Sequence, residues 1–86
     1  MRKDPAHFGD EELNLVYVAR KLKDALRLEE FLTREGLDYA VEAEKYKAGA
    51  VFRSERVGAF FYVRPDEEEA TRAVMRQGGF TPFTAP

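Results

Sequence analysis

Two stretches of the chain, Leu13–Arg20 (LNLVYVAR) and Gly58–Arg64 (GAFFYVR), are apolar or aromatic at both alternating positions. That pattern suits central strands covered on both sides. Residues Leu37–Glu44 behave differently: Leu37, Tyr39, Val41 and Ala43 fall on one face and Asp38, Ala40, Glu42 and Glu44 on the other, so this strand has one dry side and one wet side. Between the first two strands the period lengthens. Leu22, Ala25, Leu26, Leu28, Phe31 and Leu32 form one stripe at helical spacing over Lys21–Glu35, and Gly36 supplies a left-handed C-terminal cap. After the third strand, Pro65 stops extension. Asp66 with Glu69 three residues on reads as a capping box, opening a helix whose inner stripe is Ala70, Ala73, Val74 and Gln77. Gly78 and Gly79 end it, with Phe80 folding back as the apolar contact of a Schellman-type terminus. The tail TPFTAP holds two prolines and admits either a short edge strand over residues 80–83 or none.

The order is therefore β-α-β-β-α with an open question over a last strand. A right-handed crossover of the first unit sets strand three between strands one and two, with both helices on one face. The expected fold class is α+β, a ferredoxin-like βαββα(β) sandwich with an antiparallel sheet. Residues 1–12 are polar, broken by Pro5 and Gly9, and read as a flexible leader without an element; residues 13–86 make the domain. With Val16, Val18, Tyr39, Val41, Phe61 and Val63 turned toward the helices, Leu15, Tyr17, Phe60 and Tyr62 face outward. An uncovered aromatic patch of this kind marks a binding or oligomer surface.

The segment from Lys45 to Val57 spends about a dozen residues where two would close a hairpin, and excursions of that length are usually functional or disordered. Ala50–Phe52 reads as a short strand within it. The topology brings Arg20, Lys21, Lys45, Lys47, Arg53 and Arg56 to one end of the sheet, and Arg20, Lys45, Lys47, Arg53 and Arg56 are the candidate ligands for a small anion, with Gly49 and Gly58 permitting close backbone approach. The alternative is a solvated loop whose cations are balanced by Glu42, Glu44 and Glu55. No glycine spacing matches a phosphate-cradling loop.

Composition narrows the chemistry. Fourteen basic and 16 acidic side chains leave a net charge of -2, so a general attraction to nucleic acid or an anionic membrane is not expected. The chain has no Cys and a single His, His7 in the leader, which removes thiol chemistry, thiolate metal sites and a Ser/His pair. The DEEE run, Asp66–Glu69, fits a helix N-terminus better than a cation site. No run approaches the roughly 18 apolar residues of a membrane span. The reading is a cytoplasmic protein that is not an enzyme and uses no cofactor and no metal.

The segments LVYVARKLKDALRLEEFLTREGLDYAVE and GAFFYVRPDEEEATRAVMRQGGF resemble a family of small bacterial domains of unknown function labelled as signal-transducing proteins and grouped beside the PII nitrogen regulators. The likeness lies in the succession of strand, helix, glycine stop, strand, and a strand running into a Pro-acidic helix start. It implies a ferredoxin-like fold, a signalling role, and a partner-contacting loop between strands two and three, where Lys45–Val57 falls. The leading expectation is a regulatory or protein-interaction module that forms a homo-oligomer through Leu15, Tyr17, Phe60 and Tyr62. The alternative is a single-stranded RNA-binding module of RNA-recognition-motif type, stacking bases on Tyr17, Phe60 and Tyr62; Asp38, Glu42 and Glu44 on the same face oppose it, and nucleic acid is not the expected partner.

Overall fold

The computed structural model describes residues 1–48 and 54–84. Its elements are β1 (Asn14–Ala19), α1 (Leu22–Arg34), β2 (Ala40–Ala48), β3 (Ser54–Val63) and α2 (Glu68–Gln77), with 3-10 turns at Pro5–Phe8 and Pro65–Glu67. Among the described residues the strands form an antiparallel sheet in the order β1-β3-β2. The architecture is α+β; β3 is central as its two apolar faces suggest, but β1, read as central from the same pattern, is an edge strand. No helix in the described residues is long and apolar enough to cross a membrane.

One core unites both helices with one sheet face: Ala25, Leu28 and Leu32 of α1 and Met75 of α2 pack with Val16, Ala19, Tyr39, Phe61 and Val63. The helices end in the same motif. Leu37 N–H bonds to the Leu32 carbonyl at 3.0 Å and Phe80 N–H to the Met75 carbonyl at 2.9 Å, each following a glycine in the left-handed region, Gly36 at φ 74° and Gly79 at φ 86°. Gly78 serves a different need, since a Cβ there would lie 2.4 Å from the Phe31 ring.

Both helices turn differently from the stripes expected of them. Leu22 and Leu26 are 75% and 55% exposed, because α1 begins just past the end of β1 and its first turn overhangs the sheet. In α2 the buried residues are Thr71 and Met75, not Ala70, Ala73 and Gln77. Burying a methionine gains more apolar area than burying an alanine, so Met75 turns inward. Nor is the capping box made: Asp66 sits in the 3-10 turn, and α2 starts at Glu68 without a side-chain cap. The acidic run instead sends Glu68 to β1, where its carboxylate accepts from Asn14 Nδ2 at 2.6 Å and from Arg72 Nε at 2.8 Å.

The leader carries an element after all. Arg2 makes a parallel bridge with Tyr39, Lys3 N–H bonds to the Tyr39 carbonyl at 2.7 Å, and the turn at Pro5–Phe8 carries Phe8 into the structure at 6% exposure. The Arg64 guanidinium lies 5.1 Å from the Phe8 ring centre and its Nε is 3.2 Å from Glu11. A buried aromatic in a polar leader supplies the apolar area that ties it to the domain.

The decisive irregularity is in β1. Leu15 pairs with Tyr62, yet Tyr17 pairs with Phe61, so Val16 is an extra residue and β1 has a bulge. A one-residue slip sends the following side chains to the other face. Tyr17 therefore turns toward the helices, edge-on to Phe61 and to Phe80, both at 6.1 Å. Val18, paired with Phe60, takes the place expected for Tyr17 on the far face. The carbonyls freed at the bulge find partners on the outer edge of β1: Arg72 Nη2 donates to Leu15 O at 3.0 Å, and Phe83 N–H donates to Val16 O at 2.7 Å. Arg72 Nη1 also donates to Phe83 O, binding the tail to the same edge. The tail lies along β1 without becoming a strand.

Two stability effects follow. Arg72→Ala removes charge-assisted bonds to Glu68, Leu15 and Phe83, and urea unfolding should show a loss of about 2–3 kcal/mol; a change below about 0.5 kcal/mol would mean that the bulge holds without this clamp. Glu68 is held below the ordinary carboxylate range, first by the Arg72 hydrogen bond and then by that of Asn14, so its contribution is full above the ordinary carboxylate pKa and disappears as pH falls through its own lowered value. Thr71 Oγ1 is buried with no hydrogen-bond partner among the described residues. Thr71→Val should accordingly raise stability by about 1 kcal/mol in the same assay, and a loss of that size would reveal a bond to the hydroxyl.

Candidate functional site

The sheet face away from the helices is built row by row from the pairing. Leu15, Tyr62 and Ala40 share one row; Val18, Phe60 and Glu42 share the next. Since Ala19 and Ala43 both pair with Ala59 on the helix side, the row beyond them is Arg20, Gly58 and Glu44. Across this face, hydrophobic side chains therefore occupy the β1 and β3 positions and carboxylates the β2 edge, with Arg20 at the opposite edge.

Leu15, Val18, Arg20 and Phe60, together with Thr81 and Phe83 of the tail and part of Tyr17, line a concavity of about 750 Å3. It is open because the tail stands beside β1 while nothing among the described residues lies over Val18 and Phe60. At the other end of the face, Leu13, the residue before β1, shares a smaller concavity with Ala40, Glu42 and Tyr62. Tyr62 Oη donates to Glu44 Oε2 at 2.8 Å across the face. The Tyr62 phenol is pushed up to about 12, first by burial, then by the hydrogen bond to Glu44 and by the negative charge of Glu44 and Glu42.

Of the residues expected outward, Leu15, Phe60 and Tyr62 are on this face and Tyr17 is not, apart from the edge it offers to the concavity. Val18, Thr81 and Phe83 are the residues that sequence reasoning missed. Nothing in LNLVYVAR signals a bulge, because every position from Leu15 to Ala19 is apolar enough for either side.

The proposed anion ligands fare differently. The excursion is a ribbon in which β2 and β3 stay paired from Ala40↔Tyr62 to Ala48↔Ser54, so the strands run several residues further than expected. Arg20 and Lys45 come to the same end of the sheet, and both are exposed. Arg53, the side chains of Lys47 and Arg56, and the strand expected at Ala50–Phe52 lie outside the described residues. No cluster of three or more potential metal ligands occurs among the described residues. His7 is exposed in the leader turn, edge-on to Phe8 at 5.2 Å. Comparison with known protein families, with curated proteins and with solved structures finds no match.

The Tyr62–Glu44 pair gives this face a spectroscopic handle. Titration of tyrosinate absorbance should resolve a component near pH 12 that Tyr62→Phe removes and Glu44→Gln moves toward the ordinary tyrosine value of 10.0. Because the folded value is raised, the pair stabilises the fold fully below pH 10 and ceases to do so as pH rises through about 12. A component near pH 12 left in place by Glu44→Gln would show that the hydroxyl is not held by Glu44.

Proposed function

We propose that this chain is a regulatory interaction module of the ferredoxin-like, PII-like type, without enzymatic activity, which pairs with a second copy of itself through the uncovered sheet face. The observation that carries the reading is the concavity at Leu15, Val18 and Phe60, an apolar patch on the central and edge strands of a small domain. A domain of 86 residues buries only about 60–65% of its unfolded surface by itself, so covering this face adds a second core.

The charge layout favours self-pairing. A two-fold axis running along the strands lays β1 of one copy over β2 of the other, because that operation exchanges the two edges and keeps the rows level. Arg20 of one copy then meets Glu44 of its partner, and the converse pair forms by symmetry, as an isologous interface requires. Phe60, on the central strand, meets its own equivalent near the axis. The rows thus place Phe60 against Phe60, Leu15 against Ala40 and cation against carboxylate, while Val18 lies over the aliphatic part of Glu42.

The RNA-binding alternative is weakened by the same geometry. Stacking platforms present rings on adjacent central strands above a basic groove. Here Tyr17 is turned beneath the sheet, leaving Phe60 and Tyr62, and the β2 edge of the face carries Glu42 and Glu44.

Sedimentation equilibrium tests the proposal directly. The wild-type chain is expected to dimerise in the micromolar range, Phe60→Glu to be monomeric with an unchanged circular dichroism spectrum, and Arg20→Glu to dimerise at least tenfold more weakly. Arg20→Glu combined with Glu44→Arg should recover the dimer. A monomeric wild type at millimolar concentration would overturn self-pairing, and failure of the double swap to recover it would overturn this axis.

A further inference from the structure

Both edges of the sheet are closed in part by other segments of the chain. Along β1 the Phe83 N–H and Arg72 take Val16 O and Leu15 O. Along β2 the leader does the same, but only where the strand begins. Lys3 N–H donates to Tyr39 O at 2.7 Å and Tyr39 N–H to Met1 O at 3.3 Å, the two bonds of the parallel bridge between Arg2 and Tyr39. Asp4 then caps the turn at Pro5–Phe8, and the leader departs from the edge. We infer that the next stretch of this edge, from Val41 onward, is a β-augmentation site, where an extended segment of a partner protein with alternating basic and apolar residues adds to β2 as a further strand. The site is separate from the self-pairing face, because the main-chain groups of the edge lie in the plane of the sheet.

The leader's own bonds reveal which groups the edge offers. Tyr39 points both its N–H and its C=O away from β3. In an antiparallel ladder this direction alternates from residue to residue, and β2 and β3 keep one unbroken register from Ala40↔Tyr62 to Ala48↔Ser54. Val41 and Ala43 therefore present N–H and C=O outward, while Ala40, Glu42 and Glu44 bond to β3. Among the described residues no segment pairs with the outward groups of Val41 and Ala43. A regular edge of this kind is a template for another strand, and between Ala40 and Glu44 no proline, lysine or bulge blunts it. Main-chain bonds give such a site its affinity, and the side chains beside it give specificity.

The occupant is a partner strand and not the β2 of a second copy. Two β2 edges meeting about a two-fold axis run antiparallel and set residues of like parity opposite one another. Registers centred on Ala43, Glu44 and Lys45 place Glu42 against Glu44, Glu44 against Glu44, and Lys45 against Lys45, and like charges directly opposite are destabilising. A segment of different sequence escapes this. On the helix side it would stand beside Val41, half-buried, and Ala43, exposed, where β-branched side chains suit the pleated surface. On the other side it meets Glu42, which is exposed and favours a basic residue opposite. Glu44 is already held by Tyr62, so the preference for basic residues rests on Glu42.

Fluorescence anisotropy with a labelled Thr-Val-Lys-Val-Lys-Val-Thr peptide, blocked at both ends, tests the inference. Saturable binding is expected, with hydrogen exchange of the Val41 and Ala43 amides slowed at least tenfold. An added strand bonds to β2 through only one of its own edges, so N-methylation of one alternate set of peptide residues should abolish binding and that of the other set should leave it. Ala43→Pro deletes an outward N–H that β3 does not use and should weaken binding at least tenfold. Glu42→Lys should weaken it at least threefold and strengthen binding of the Thr-Val-Glu-Val-Glu-Val-Thr counterpart. Phe60→Glu, monomeric under the self-pairing proposal, should bind like wild type, so failure of either proposal is visible without the other. The inference is overturned by no saturable binding up to millimolar protein, by equal effects of the two N-methylated sets, by equal binding of the Lys and Glu peptides, or by loss of binding in Phe60→Glu. A Phe60→Glu chain that stays dimeric until Ala43→Pro splits it would also overturn it, by giving the edge to a second copy.

Discussion

The arrangement of both faces depends on the bulge at Val16 and on the groups that satisfy it. An extra residue in an edge strand leaves carbonyls without ladder partners, and unpaired backbone groups are costly where water is excluded. Arg72 from α2 and the Phe83 N–H from the tail answer Leu15 O and Val16 O. The same guanidinium holds Glu68, which in turn accepts from Asn14. One side chain thus joins α2, the entry to β1 and the tail, and the slip it stabilises decides which residues of β1 enter the core.

The two sides of the sheet then acquire different characters. Beneath the helices, Val16, Tyr17, Phe61 and Phe80 interlock, with rings meeting edge-on as their quadrupoles favour. On the far side Val18 replaces an aromatic ring with a small flat surface beside Phe60, leaving a hollow where a tyrosine would have stood. The tail, drawn against β1 by Arg72, raises one wall of that hollow. The carboxylates of β2 occupy the opposite margin, where Tyr62 reaches Glu44. The surface is so divided, apolar on one side and acidic on the other with Arg20 level with Glu44, and it is this division on which the proposed self-pairing rests.

Much of the fold was legible in the residues. The double-sided apolar runs placed β1 and β3 together, the alternation of Leu37–Glu44 marked β2 as an outer strand, and the glycines at 36 and 79 stop their helices in left-handed caps. Helix rotation was less legible. The stripe of α2 was assigned to Ala70, Ala73, Val74 and Gln77, whereas Thr71 and Met75 are the buried pair, because a long-range clamp at Arg72 and the bulk of Met75 outweigh a stripe of small side chains. The leader also escaped notice: Phe8 is one aromatic in a polar segment, and only its contact with Arg64 from the far end of β3 shows why it is buried.

The site was half readable. Phe60 and Tyr62 were assigned to the open face from period alone, and that assignment needs no more than the regularity of β3. Tyr17 was assigned by the same rule and lies on the other side. The order of strands and helices, the central place of β3 and the lack of thiol or paired-histidine chemistry were determined by the sequence itself, since they rest on local periodicity and on which side chains exist. The faces of β1, the rotation of α2 and the walls of both hollows were decided only in the tertiary structure. A run that is apolar at every position accepts either register, and the choice between registers is made by partners far along the chain.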